Sequence, residues 1–227
     1  MDRHIQHVLD LALVDVEAIK ARNFKIVVDA VNSTGGIVVP KLLRALGVSE
    51  VEEMFCTPDG NFPHNPEPLP ENLRDIAKKL EKGNFDLGIV VDPDVDRLAL
   101  VNEDGSMFGE EYTLALCALR VLERVGSGAM ATNLSTSRMI DSVAAKFSGS
   151  RVYRSAVGEA NVVAAMKNSN SVIGGEGNGG VIFPPVCWVR DSLSSMALVL
   201  SLLAAEKKPL SAIVEQMPRY CMIKHKF

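Results

Sequence analysis

Ile5, Val8, Leu9, Ala12, Leu13, Val16 and Ile19 recur at three- and four-residue spacing, which predicts one helix over residues 2–21. The period then changes. Residues 24–29 read as a strand ending in Asp29, and A-V-N-S-T-G-G leads into an amphipathic helix from about residue 37 to 46, closed by Gly47. After a short strand at 50–55, residues 57–70 carry five prolines, which forbid regular structure and stiffen the loop. A helix with Leu73, Ile76, Ala77 and Leu80 on one face ends at Gly83. Leu87, Ile89, Val90 and Val91 then form an apolar run that reads as a buried strand. Leu98–Val101 is a second such run, in a hairpin turning at Glu103-Asp104-Gly105, and a helix over about 110–124 follows. Strands alternating with helices predict a mostly parallel sheet covered on both faces.

Gly126-Ser127-Gly128 reads as a linker, after which the pattern restarts. Strands are expected at 129–133, 151–154, 172–174 and 181–183, and helices from Ser135 or Thr136 to Phe147, after V-G-E-A-N, and from Arg190 to about Glu206. The repeat is one of element order, without sequence identity between the halves. The expected fold class is therefore α/β: two tandem three-layer α/β domains with mostly parallel mixed sheets, over residues 1–125 and 126–227.

Composition adds exclusions. Hydrophobic residues make up 47% and charged residues 23%, with a net charge of −4, ordinary for a globular α/β protein. No Lys/Arg cluster suggests a nucleic-acid partner. Cys56, Cys117, Cys187 and Cys221 lie far apart, as reduced thiols of a cytoplasmic protein would. The N-terminus lacks a signal-peptide core, and the longest apolar stretch, Met196–Ala205, is too short to span a bilayer, so no membrane role is expected.

The chemistry concentrates at D-P-D-V-D-R, residues 92–97. Asp92, Asp94 and Asp96 repel one another at this spacing, and a fold holds them together when a cation offsets the repulsion. Hard oxygen ligands on a tight loop suit Mg²⁺. An EF-hand loop also begins D-x-D-x-D, but its sixth position should be Gly and here is Arg97, and strands flank the run. A phosphatase of the haloacid-dehalogenase type, with Asp92 as nucleophile, is the alternative enzyme reading. A non-catalytic sugar-phosphate-binding module is another, and a solvated acidic turn is the reading without chemistry.

A second loop, G-G-E-G-N-G-G at 174–180, sets Glu176 and Asn178 among five glycines. An acceptor beside a donor–acceptor amide suits adjacent sugar hydroxyls; otherwise the glycines serve only backbone conformation. His4 and His7 fit a solvated helix face, His64 a catalytic or a packing role, and Trp188 a partly buried core position or a sugar-stacking one.

Four segments in this order, D-A-V-N-S-T-G-G (29–36), P-D-G-N-F-P-H-N-P-E-P (58–68), D-P-D-V-D-R (92–97) and G-G-E-G-N-G-G (174–180), together resemble the α-D-phosphohexomutases. Those enzymes interconvert hexose 1- and 6-phosphates through a bisphosphorylated sugar, with four α/β domains around one cleft. The resemblance implies that Asp92, Asp94 and Asp96 ligate Mg²⁺ and that Arg97 is a catalytic charge partner near the phosphoserine or the transferring phosphate. It implies that Glu176 and Asn178, with Gly175 and Gly177, bind the sugar. Glucosamine phosphate is favoured over mannose or glucose phosphate. Pro93 and Val95 stand where glycines are commoner, and Glu159 where many members place a basic or polar residue. The phosphoserine loop and the C-terminal phosphate loop of the family are absent. The chain is thus expected to be domains 2 and 3 of a longer enzyme, inactive alone, with residues 1–21 a lead-in from a missing domain 1 and domain 4 also missing.

Overall fold

The computed structural model describes residues 1–220, so Cys221 lies outside the described residues. The first unit runs α1 (Asp2–Leu9), α2 (Val16–Ala21), β1 (Lys25–Asp29), α3 (Gly35–Ala45), β2 (Glu50–Met54), α4 (Arg74–Lys82), β3 (Leu87–Val91) and β4 (Leu98–Asn102). The single helix expected over 2–21 is two. Asp15 caps α2, its carboxylate accepting from Ala18 N at 2.9 Å, while its own amide donates to Ser201 Oγ at 3.1 Å. A capping Asp restarts the helix in a new direction, which apolar spacing alone does not register.

The first sheet has the order β2-β1-β3-β4, with β1 parallel to β2 and β3, and β4 antiparallel to β3. β3 is buried along its whole length, the reason its sequence is an unbroken apolar run. α4 covers one face over Val27, Val90 and Val101, and the other face, with Ile26, Val28, Ile89 and Leu100, enters the larger core.

The chain continues through α5 (Glu111–Val125), β5 (Ala129–Asn133), α6 (Met139–Ala145), β6 (Arg151–Ser155), α7 (Glu159–Ser169), β7 (Ile173–Gly175), β8 (Val181–Ile182), α8 (Ser192–Glu206) and α9 (Leu210–Val214). The second sheet, β6-β5-β7-β8, repeats the first in order and direction. α7 packs on one face, where Ala131, Val162, Met166 and Ile182 form a small core. α5 lies on the other side, against α6, α8, β7 and β8. The Gly126–Gly128 stretch therefore turns within this packing unit. α8 is buried on nearly every side, against α1, α2, α5 and β4, which explains its largely apolar run from Met196 to Ala205. Among the described residues no helix is long and apolar enough to cross a membrane.

α6 starts at Met139 rather than at the expected cap, Ser135 or Thr136. The Thr136 hydroxyl is engaged instead by Thr132, Asn133 and the amide of Gly177. It supports a loop rather than a helix end.

Candidate functional site

β3 delivers Asp92 to its carboxyl end, where ligands of parallel sheets gather. Asp92 is 6% exposed, and its Oδ1 accepts from the amides of Asp96 and Arg97 at 3.1 and 3.0 Å. This fold-back puts Val95 in the left-handed region at φ +63°, costly for a β-branched residue. The turn is held from both sides: the Val95 carbonyl accepts from Ser192 N at 3.2 Å, and the Pro93 carbonyl from Thr34 Oγ1 at 3.0 Å. One carboxylate oxygen from each of Asp92, Asp94 and Asp96 lies within 4.8 Å of the others. Burial raises the Asp92 carboxyl above its ordinary range, and burial followed by the Asp92 charge pushes Asp96 up to about 7. An all-oxygen donor set with this surplus of negative charge fits a hard divalent cation.

The glycine loop is closed by Glu176 N donating to Gly180 O at 2.8 Å. A Cβ on Gly175, at φ +153°, would meet Gly180 O at 2.2 Å, so this closure needs glycine. Glu176 is 7% exposed. Its Oε1 accepts from Asn133 Nδ2 at 2.7 Å, and its Oε2 from Asn178 Nδ2 at 3.4 Å and Arg190 Nη1 at 3.2 Å. Asn178 Oδ1 accepts from Gly180 N at 3.1 Å. A Cβ on Gly177 would fall 2.3 Å from the Glu111 carboxylate.

One cleft of about 360 Å³ is lined by Arg97 from the acidic loop, by Glu176 and Asn178 from the glycine loop, and by Asn133, Glu159 and Arg190 among others, with Asp92, Asp94 and Asp96 beside it rather than in its lining. The start of β4, which follows the acidic loop, touches the glycine loop, Leu98 N donating to Gly179 O at 3.1 Å. Arg97 Nε stands 3.5 Å from Asp92 Oδ2 and 3.9 Å from Asp96 Oδ1, too far for a hydrogen bond to either.

Arg190 is the residue that the sequence did not disclose. It joins Asp96 through Nη2, Glu159 through Nε at 2.9 Å and Glu176 through Nη1. The signal was one of charge balance: acids at 92, 94, 96 and 176 were matched in the sequence to a single cation, Arg97.

The other expected candidates lie elsewhere. His64 Nε2 pairs with the buried Asp29 at 3.0 Å, tying the proline-rich loop to the end of β1. His4 reaches Asp191 Oδ1 at 3.0 Å and His7 the Pro185 carbonyl at 2.9 Å, so α1 docks on the second unit rather than presenting both to solvent. Trp188 is 39% exposed with Lys167 over its ring, outside the core and outside the cleft lining. A larger cleft of about 670 Å³ beside α1 contains none of the predicted site residues.

The arrangement of two repeated sheets with an acidic loop and a glycine loop bridged by Arg190 has a counterpart among known sequences. The profile of phosphoglucomutase/phosphomannomutase alpha/beta/alpha domain II matches residues 2–105, and that of domain III matches residues 109–220. The chain belongs to the phosphoglucomutase/phosphomannomutase family. It is 39% identical to a phosphoglucomutase/phosphomannomutase of Thermococcus kodakarensis over 94% of this chain and 46% of the relative. It is 30% identical to a phosphoglucosamine/phosphogalactosamine mutase of Sulfurisphaera tokodaii over 95% of this chain and 48% of the relative. A crystal structure of a family protein from Burkholderia thailandensis superposes with a TM-score of 0.77 at 31% identity, covering 90% of this chain and 46% of that one. The chain thus spans about half the length of the relatives it matches. Membership in this family disfavours the haloacid-dehalogenase reading of Asp92.

Proposed function

We propose that this chain carries the metal-binding and sugar-binding portions of a phosphohexomutase, an isomerase that moves a phosphoryl group between the 1- and 6-positions of a hexose, with glucosamine phosphate the favoured substrate. The observation that carries the reading is the meeting of the two loops: Arg190 bridges Asp96 of the acidic loop and Glu176 of the glycine loop, and Arg97, Glu176 and Asn178 line one cleft.

Asp92, Asp94 and Asp96 would hold Mg²⁺, which when bound supplies Lewis-acid charge neutralisation to a phosphoryl group. The chain's own residues do the rest of the local work. Glu176, fixed by Asn133, presents acceptor oxygens to sugar hydroxyls, and Asn178 presents an amide edge beside it. Arg97, partly exposed at the cleft, offers its guanidinium to phosphate oxygens. The family's phosphoserine and remaining phosphate contacts would come from segments equivalent to the half of the relatives that this chain does not match.

The test is binding of glucosamine 6-phosphate to the 227-residue chain in Mg²⁺, followed by ligand NMR, with an isomerisation assay alongside. The reading predicts saturable binding, lost in Glu176→Ala and weakened in Asn178→Ala, without isomerisation by the chain alone. Release of inorganic phosphate, or binding indifferent to Glu176, would contradict it.

A further inference from the structure

Two guanidiniums, Arg97 and Arg190, stand among the carboxylates of Asp92, Asp96, Glu159 and Glu176, with Asp94 beside the other two aspartates. The two cations are used differently. The Arg97 guanidinium makes no close hydrogen bond to its aspartates, whereas each N–H edge of Arg190 serves a different loop. Nη2 goes to the acidic loop at Asp96, Nη1 to the glycine loop at Glu176, and Nε to Glu159 at the start of α7. Only a planar fork can serve three carboxylates in this way.

The backbone around Arg190 is fixed independently. Asp191 N donates to Val181 O at 2.9 Å and Ser192 N to Val95 O at 3.2 Å, so the segment is pinned to both units. Room for the side chain is made by an absent one: a Cβ at Gly180 would lie 2.2 Å from Arg190 Cδ. The guanidinium is therefore held in one place by packing as well as by charge.

We propose that Arg190 is the resident counter-ion of the three-aspartate loop and the positioning residue that keeps that loop in register with the sugar loop, and that a divalent cation binds by taking Asp96 from it. The inference rests on reading Asp92, Asp94 and Asp96 as a divalent-cation site. Two cations then compete for one carboxylate, while Glu176 and Glu159 stay on the guanidinium. The competition makes a distinctive prediction: deleting the guanidinium strengthens metal binding while it weakens the grip on sugar. A residue of merely structural importance would weaken both.

The test uses Mn²⁺, which shares the oxygen-ligand preference of Mg²⁺ and whose free concentration is read by electron paramagnetic resonance. The wild-type chain is titrated beside Arg190→Met, Arg190→Lys and Asp94→Ala, each checked for folding by thermal melting. Arg190→Met should bind Mn²⁺ about tenfold tighter than wild type, a gain that shrinks in high salt. Its affinity for glucosamine 6-phosphate should fall. Unchanged or weaker Mn²⁺ binding in folded Arg190→Met, with binding lost in Asp94→Ala, overturns this inference and leaves the metal reading standing. Retained Mn²⁺ binding in Asp94→Ala overturns the metal reading itself. Should Arg190→Met fail to fold, Arg190→Lys carries the test: its point charge cannot span three carboxylates, so tighter Mn²⁺ binding supports the inference and unchanged or weaker binding overturns it.

Discussion

The amide of Leu98 donates to the carbonyl of Gly179 at 3.1 Å, so the first residue after the acidic loop is bonded to the last turn of the glycine loop. Gly179 sits at φ +86°, and a Cβ there would lie 2.5 Å from Leu98 O. The close approach of the two units at this point depends on a missing side chain. Gly179→Ala should therefore destabilise the chain by about 1–3 kcal/mol through strain and the parted loops. Urea unfolding reads this directly, and an unchanged midpoint would show that the approach is not under constraint.

Arg154 should matter for the same cleft without lining it. Its guanidinium donates to the carbonyls of Thr136 at 2.8 Å and Ser137 at 3.1 Å, and more weakly to Asn133 O at 3.3 Å, and it pairs with Asp141 at 2.5 Å. Those carbonyls belong to the turn that carries Asn133 to Glu176. Arg154→Met should cost about 2–3 kcal/mol in stability, since it leaves acceptors and an acid without their donor. It should also weaken glucosamine 6-phosphate binding. A loss of stability with binding intact would confine Arg154 to packing.

His64 supplies a pH dependence with a definite sign. The hydrogen bond that His64 donates to the Asp29 carboxylate raises the His64 pKa above its ordinary 6.5, against an opposing effect of partial burial. A folded-state pKa above the unfolded one gives stability that is present at low pH and lost as pH rises through the raised value. His64→Gln should therefore lose more stability against wild type at pH 6 than at pH 8.5. Urea midpoints at the two pH values check this, and an equal loss at both would remove the charged pair from the account. His4 is raised in the same direction by Asp191, so the comparison must be variant against parent.

Mg²⁺ should raise the melting temperature of the wild-type chain at millimolar concentration, because an ion that binds only the folded state stabilises it by mass action. Asp94→Ala, which removes an exposed carboxylate and disturbs no core, should melt like wild type without Mg²⁺ and gain nothing when it is added. A full Mg²⁺ shift in that variant would place the ion elsewhere.

Much of this was legible in the sequence because local pattern and tertiary demand agreed. β3 is buried on both faces, so its apolar run could hardly be read as anything else, and the acids that follow it stood out against that run. The glycine loop was legible for a related reason: Gly175 and Gly179 meet backbone atoms of neighbouring strands and turns, leaving Glu176 and Asn178 as its polar content. Arg190 was not legible, since a lone Arg at a helix start has no local signature and gains its role only from three acids distant in the chain. The break between α1 and α2 was hidden because apolar spacing continues through it. Thr136 looked like a helix cap because the same hydroxyl suits either use, and only the approach of Gly177 decides between them. α9 went unread because five residues give too short a period to detect.

The central claim is that three aspartates and a glycine-loop glutamate serve one ligand-filled cleft. The most direct measurement is an anomalous difference map from crystals grown with Mn²⁺ and glucosamine 6-phosphate. The account predicts one strong peak among the carboxylates of Asp92, Asp94 and Asp96, with sugar density against Glu176 and Asn178. A peak away from those aspartates, or sugar density outside this cleft, would contradict it.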